Sequence, residues 1–185
     1  MSTNQLIPTN DLISPEFSSF TKQNLLSDNC IDIYLNIQGG AVAIGGGEYG
    51  SQDIQSIGIS GGLQDYIQVS VGRLSEIINI DFKFTNTSSN SELCFYLDST
   101  IDVGGSGTTL GISLENTSSL RDWWEIILNY PQLQNQTDYL HYAVIHELGH
   151  TLGLEHPFDS YDGDVYVSSD PYKSAYPEDT VMAYR

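Results

Sequence analysis

Residues 146–156 read HELGHTLGLEH, and this stretch decides both the fold and the chemistry that the sequence predicts. His146 and His150 are four residues apart, so on an α-helix their side chains lie one above the other on the same face. Glu147 follows the first of them, where a carboxylate can reach a metal-bound water without being a ligand itself. Gly153 can adopt the left-handed conformation in which helices commonly end. The chain would then turn back and bring in His156 from another direction.

Three imidazoles in this pattern predict a catalytic zinc site. Catalytic zinc takes three protein ligands and leaves the fourth position to water, whereas structural zinc is closed by four. We expect His146, His150 and His156 to bind one Zn²⁺ ion and Glu147 to act as the general base. HExxH alone occurs by chance in unrelated helices, but the added glycine and third histidine make the pattern far more specific. The fourth histidine, His141, would lie about 140° around the helix from His146, so it is predicted to be a surface or packing residue.

This motif resembles the signature of the metzincin zinc endopeptidases. The third histidine is followed by Pro157, which resembles the motif of their serralysin-like branch. Metzincins place a methionine in a tight turn beneath the metal, and the sequence TVMAY at residues 180–184 is similar to that turn. The resemblance implies that Met182 forms a hydrophobic floor under the histidines. It also implies that Tyr184 reaches the zinc in the resting enzyme and swings towards the oxyanion during turnover.

The composition predicts one folded and strongly acidic domain. The chain has 185 residues, of which 39% are hydrophobic, and this is enough to bury a sizeable core. Its 24 acidic and 6 basic residues give a net charge of −18. Such a surface repels nucleic acid and anionic membranes, and no run of about 18 apolar residues could span a bilayer. We expect a protein or peptide substrate, no nucleic-acid or membrane partner, and a monomer.

The order of the predicted elements indicates an α+β fold. Apolar alternation and β-prone runs predict five strands, at residues 31–37, 81–85, 92–98, 108–114 and 122–130, with a helix as the alternative for the last. Apolar residues at intervals of three and four predict an amphipathic helix, namely Leu63, Ile67, Val71, Leu74 and Ile78. Thr137 is the predicted N-cap of the zinc helix. The metzincin resemblance implies a twisted mixed five-stranded sheet, a backing helix, the active-site helix and a short irregular lower subdomain that ends at the Met182 turn.

The domain boundaries follow from a change in patterning near residue 29. Residues 1–29 are polar, punctuated by proline and weakly patterned, which fits either a tail or a pro-segment. Residues 30–185 are predicted to form a single zinc peptidase catalytic domain. The first residues lack the basic start and apolar run of an ordinary secretory signal, and the sequence shows no glycine-rich calcium repeats. The resemblance nevertheless implies an extracellular, secreted protease. In this sequence it covers a catalytic unit without those repeats.

Two further features leave alternatives open. Cys30 and Cys94 could form one disulfide, remain buried free thiols, or include a cysteine that blocks the zinc in a latent precursor. The sequence Asp162-Gly163-Asp164 has the oxygen-rich look of a calcium loop but lacks the EF-hand spacing. A Ca²⁺ requirement is therefore unsupported by a specific motif, and an ordinary solvated loop is the favoured interpretation.

These features together predict a zinc-dependent endopeptidase that hydrolyses extended protein or peptide substrates with a metal-activated water. Substrate is expected along an edge strand near residues 108–114, with the glycine-rich residues 104–107 as a flexible rim. The alternative is an inactive or narrowly targeted zinc-containing relative that binds peptides. Intact Glu147 argues against inactivity. A third hypothesis is a toxin or immunity component that cleaves a single partner.

Overall fold

The computed structural model describes residues 7–25, 28–45, 50–99, 109–159 and 179–183. The helices in these ranges are α1 (Pro15–Leu25), α2 (Gly61–Ile78), α3 (Tyr130–Leu133) and α4 (Thr137–Thr151), with short 3₁₀ turns at Thr9–Leu12 and Ser88–Asn90. The strands are β1 (Cys30–Leu35), β2 (Gly40–Gly45), β3 (Ser51–Ile57), β4 (Asp81–Thr85), β5 (Leu93–Asp98), β6 (Gly111–Thr117) and β7 (Asp122–Asn129). Among the described helices, none combines the length and hydropathy that a membrane crossing requires.

The seven strands form one mixed sheet centred on β5. One edge of β5 pairs first with β1, in parallel, and then with β3, antiparallel, while the other edge pairs with β7 in parallel. The sheet continues through β4 beside β1, β2 beside β3, and β6 antiparallel to β7. All six residues of β5 are buried, as expected for a strand that is covered on both faces. The α+β class and the mixed sheet are therefore confirmed.

The predicted numbers of strands and helices are wrong, since the described residues contain seven strands and four helices rather than five and two. The two unpredicted strands, β2 and β3, form a hairpin in the glycine-rich part of the sequence. Glycine at both ends of β2 and the polar residues of β3 conceal the apolar alternation. The pairing brings Ile44 and Ile54 into the core, so tertiary contacts outweigh the weak local preference. Helix α1 lies within residues 1–29, where local patterning is weak.

Several elements agree closely with their predicted positions. Strand β4 has the predicted bounds, and β7 decides the strand-or-helix alternative in favour of a strand. In α2, Leu63, Ile67 and Val71 are buried, as their spacing predicts. Ile78 is the last residue of α2, and 37% of its surface is exposed. The apolar stripe therefore leaves the core before the helix ends.

Both cysteines are buried free thiols, and the sheet register explains why. Cys94 lies opposite Tyr34 in the parallel pairing of β5 with β1. Cys30 is four residues before Tyr34 on β1, which places the two cysteines about 13 Å apart along the strand direction. A disulfide requires Cα atoms within about 7 Å. The disulfide alternative is therefore excluded.

The described contacts divide the chain into two compact units. One unit is Gln23–Glu147, and the other combines Met1–Lys22 with Leu148–Arg185. The whole sheet belongs to the first unit. Helix α4 is continuous across the division, with Thr137–Glu147 in the first unit and Leu148–Thr151 in the second.

Glu125 on β7 is a buried acid within the sheet unit. Only 3% of its surface is exposed. Its Oε2 accepts hydrogen bonds from the Gly45 backbone N–H, at 2.6 Å, and from Nδ2 of Asn116, at 3.1 Å. Burial raises the pKa of Glu125, and these hydrogen bonds oppose the shift without cancelling it.

We expect Glu125→Gln to stabilise the protein more at pH 8 than at pH 4. The folded-state pKa of Glu125 is raised above the unfolded value of about 4.3. Stability from its protonated form is therefore full below the unfolded pKa and is lost as pH rises through the folded pKa. Glutamine stays neutral and keeps an acceptor oxygen, so the variant should be more stable than wild type at pH 8, and each kcal/mol gained raises the Tm by about 2–4 °C. Thermal denaturation at both pH values measures it, with Glu76→Gln, exposed on α2, as the control. Equal gains at both pH values would contradict the buried-charge explanation.

Candidate metal centre

Helix α4 supplies most of the candidate site. Its first helical hydrogen bond runs from the Leu140 N–H to the Gln136 carbonyl, at 2.9 Å. Thr137 therefore begins the helix and does not cap it, a shift of one residue from the prediction. His141 stacks face to face on Tyr66, with ring centroids 3.6 Å apart. This histidine is a packing residue, as predicted.

Three histidines form a cluster that could hold a metal ion. One ring nitrogen from each of His146, His150 and His156 lies within 4.8 Å of the others. His146 and His150 are buried, and His156 is partly buried. Imidazole nitrogens are ligands for Zn²⁺ as well as for copper, iron and nickel, so the cluster by itself does not identify the ion.

The turn after α4 brings the third histidine back towards the helix. The N–H groups of Gly153 and Leu154 donate to the carbonyls of His150 and Gly149, at 3.0 Å and 2.9 Å. Gly153 has a φ of +98°, in the left-handed region that favours glycine. The helix therefore ends in the conformation that the spacing predicts, and the chain reverses before His156.

Hydrogen bonds to the Nδ1 atoms orient two of the histidine rings. His150 Nδ1 lies 2.9 Å from the Leu154 carbonyl oxygen, and His156 Nδ1 lies 3.1 Å from Oδ2 of Asp159. Because a carbonyl only accepts, Nδ1 of His150 carries the proton and its Nε2 keeps the lone pair. Such second partners fix the tautomer and raise the basicity of metal-binding histidines.

The distance between the Nε2 atoms of His150 and His156 fits tetrahedral zinc. Nε2 of His150 and Nε2 of His156 are 3.2 Å apart. With Zn–N bonds of about 2.0–2.1 Å, two nitrogens of a tetrahedral site are separated by about 3.3–3.4 Å. The donor set and its spacing therefore suit a zinc ion.

Glu147 is held by β6, which pairs with β7 alone among the described strands. Its side chain is buried, and the Ser113 hydroxyl donates to its Oε2 at 2.8 Å while lying 3.0 Å from its carbonyl oxygen. A Cβ atom at Gly111 would lie 2.9 Å from the Glu147 side chain, so β6 approaches it closely. Burial raises the pKa of Glu147 to about 7, although the Ser113 hydrogen bond lowers it. A nearby divalent cation would lower this pKa further.

Met182 lies in a tight turn against α4. The Ala183 N–H donates to the Thr180 carbonyl, and the Met182 N–H to the Thr180 hydroxyl, both at 3.2 Å. Met182 is fully buried, and any side chain at Gly149 would collide with its sulfur. The methionine therefore packs beneath the helix one residue before His150.

Some predicted features lie outside the described residues. They are Tyr184, the Asp162-Gly163-Asp164 sequence and the glycine-rich residues 104–107. Their roles stay predictions.

Two groups that the motif did not reveal are Ser113 and Asp159. Asp159 follows the third histidine by three residues, and a carboxylate at that spacing could have been considered as an orienting partner. Ser113 is 34 residues from Glu147 in sequence. No local pattern indicates that contact.

Comparison with protein-family models finds none that matches this chain, and comparison with curated proteins finds no match either.

Proposed function

We propose that this chain is a zinc-dependent endopeptidase of the metzincin class. The observation that carries the proposal is the cluster of three histidine nitrogens within 4.8 Å, beside a buried glutamate on the same helix. Three ligands leave one coordination position open, which suits a catalytic ion better than a structural one. The turn of Met182 against Gly149 supports the metzincin class, because it provides the floor that the resemblance implies.

Zinc and two residues of the chain would each have a role in peptide hydrolysis. When bound, zinc lowers the pKa of a coordinated water and polarises the scissile carbonyl. Glu147 accepts a proton from the attacking water and passes it to the leaving amine. Burial raises the pKa of this carboxyl to about 7 without a metal ion, and a bound cation would lower the pKa towards the ionised form that accepts the proton. Tyr184 is proposed, by resemblance, to donate a hydrogen bond to the oxyanion, an interaction of about 3 kcal/mol in comparable sites.

The edge strand β6 is the proposed substrate-binding strand. Among the described strands it pairs with β7 alone. An extended peptide could add to the edge of β6 that faces away from β7 through backbone hydrogen bonds. Gly111 and Ser113 of this strand contact Glu147. A substrate on this edge would have its backbone next to the proposed base, which favours cleavage within an extended chain.

Two features of the chain bear on which substrates it would prefer. Main-chain hydrogen bonds are largely independent of side-chain identity, so they select extended conformation more than sequence. The net charge of −18 would attract basic substrate segments at low ionic strength. An extracellular location stays part of the proposal through the resemblance alone.

The proposed function predicts hydrolysis that depends on zinc. Purified protein should cleave a mixed peptide library at internal bonds, lose this activity with a zinc chelator, and recover it when zinc is restored. The library should also separate a general endopeptidase from a narrowly targeted one, because the latter cleaves few or no library members. Zinc binding without cleavage of any peptide or of unfolded protein would contradict the general endopeptidase and favour the inactive or narrowly targeted relative.

A further inference from the structure

The carbonyl groups at the end of α4 show how the N-terminal residues join the metal centre. The last four carbonyls of a helix have no partner within it. Here the Leu148 carbonyl accepts from the Leu152 N–H and the Thr151 hydroxyl. Gly149 and His150 carbonyls accept from backbone N–H groups of the following turn.

The last of these carbonyls is satisfied by a residue far away in sequence. The Thr21 hydroxyl donates to the Thr151 carbonyl at 2.7 Å, and both residues are buried. Thr151 directly follows the proposed ligand His150. Helix α1 therefore completes the end of the helix that carries this ligand.

The turn between the second and third histidines is also paired with the N-terminal residues. The Ser14 N–H donates to the Gly153 carbonyl at 3.0 Å, and the Glu155 N–H donates to the Leu12 carbonyl at 3.1 Å. These bonds make an antiparallel bridge between Ile13 and Leu154. Backbone groups on both sides of Leu154 are thereby fixed, and the Leu154 carbonyl is the one that orients the His150 ring.

Side chains of α1 pack against the same turn. The Phe17 ring meets the His150 ring edge to face, with centroids 5.8 Å apart. A Cβ atom at Gly153 would lie 2.8 Å from Cβ of Ser18, so the two backbones approach closely. Ser14 accepts a hydrogen bond from the Phe17 N–H and thereby fixes the start of α1.

We propose that the N-terminal segment Leu12–Thr21 is a permanent part of the metal centre, which positions His150 and His156 for the ion. The segment donates a hydrogen bond to the carbonyl of Thr151, the residue after His150. It also pairs with the backbone of Gly153 and Glu155, which leads to His156. Removal of the segment would break its hydrogen bonds to the Thr151 carbonyl, the Gly153 carbonyl and the Glu155 N–H. This inference rests on the proposed metal centre, and it goes beyond it by assigning residues before position 22 to ligand positioning.

The test compares zinc affinity in variants of the full-length chain. Thr21→Val keeps the shape of the side chain but removes the hydroxyl that donates to Thr151, and Phe17→Leu removes the ring that meets His150. We expect each to weaken zinc binding about tenfold, the lower end of the range for groups that orient metal ligands. Thr9→Val, at an exposed residue outside this segment, should bind zinc within about twofold of wild type. Competition with a chromophoric chelator measures the affinity.

A second readout separates positioning from general stabilisation. A segment that only stabilises the fold would lower the Tm of metal-free and zinc-loaded protein equally. A positioning segment reduces the rise in Tm that zinc produces, because that rise depends on affinity. The inference would be overturned if Thr21→Val bound zinc with wild-type affinity and showed the same zinc-induced rise in Tm as wild type. If Thr21→Val does not fold, Phe17→Leu is judged by the same two measurements. Absence of zinc binding by the wild-type chain would overturn the inference and the proposed function together.

Discussion

Replacing Glu147 by glutamine should leave zinc bound and lower peptidase turnover by about 10²–10⁴-fold. Glutamine has nearly the same shape and cannot accept the proton that the attacking water must lose. Its side-chain oxygen can still accept the Ser113 hydrogen bond, and the contact with Gly111 is kept. The variant should therefore fold normally but lose most of its peptidase activity.

The measurement is the rate of cleavage of the best library peptide, together with the zinc content of the same sample. Glu76→Gln removes a carboxylate from the exposed face of α2 and should retain full activity. Turnover near the wild-type rate in the Glu147 variant would remove this residue from the role of general base. Loss of zinc in that variant would instead indicate that the carboxylate is a ligand.

Replacing His150 or His156 by alanine should abolish stable zinc binding and, with it, activity. Each change removes one of the three proposed protein ligands. We expect an affinity loss of at least about 100-fold, beyond the range seen when orienting groups around ligands are mutated. His156 lies in the turn after α4 and is only partly buried, so its loss should disturb the fold least.

His141→Ala is the matched control for these variants, since His141 lies on the same helix but stacks on Tyr66. Zinc titration of the three variants should show wild-type affinity for the control alone. Equal affinities in all three would mean that zinc binds elsewhere. Loss of binding in the control would point to an effect of helix stability and not of ligation.

The histidine cluster was predictable because its geometry is local. His146 and His150 are one helical turn apart, so helix geometry alone aligns them. Gly153 predicts the reversal that brings in His156, and its φ of +98° agrees. Strong periodicity likewise located α2 and the strand β4.

The unpredicted parts depend on contacts between distant residues. The hairpin of β2 and β3 is fixed by pairing across strands and by burial of Ile44 and Ile54, which a glycine-rich sequence does not reveal. Thr21 is 130 residues from the carbonyl that it caps. Ser113 of β6 contacts Glu147 of α4 although the two residues are 34 positions apart in sequence. A single sequence carries the motif of such a site, but the groups that orient the motif become visible only in three dimensions.

X-ray absorption at the zinc edge, on protein purified without added metal, tests the central claim most directly. We predict one zinc ion per chain, with three imidazole nitrogens at about 2.0–2.1 Å and one oxygen at a similar distance. Protein that carries no zinc and takes none up, or zinc surrounded by oxygen ligands alone, would contradict the assignment of His146, His150 and His156 as a catalytic metal centre.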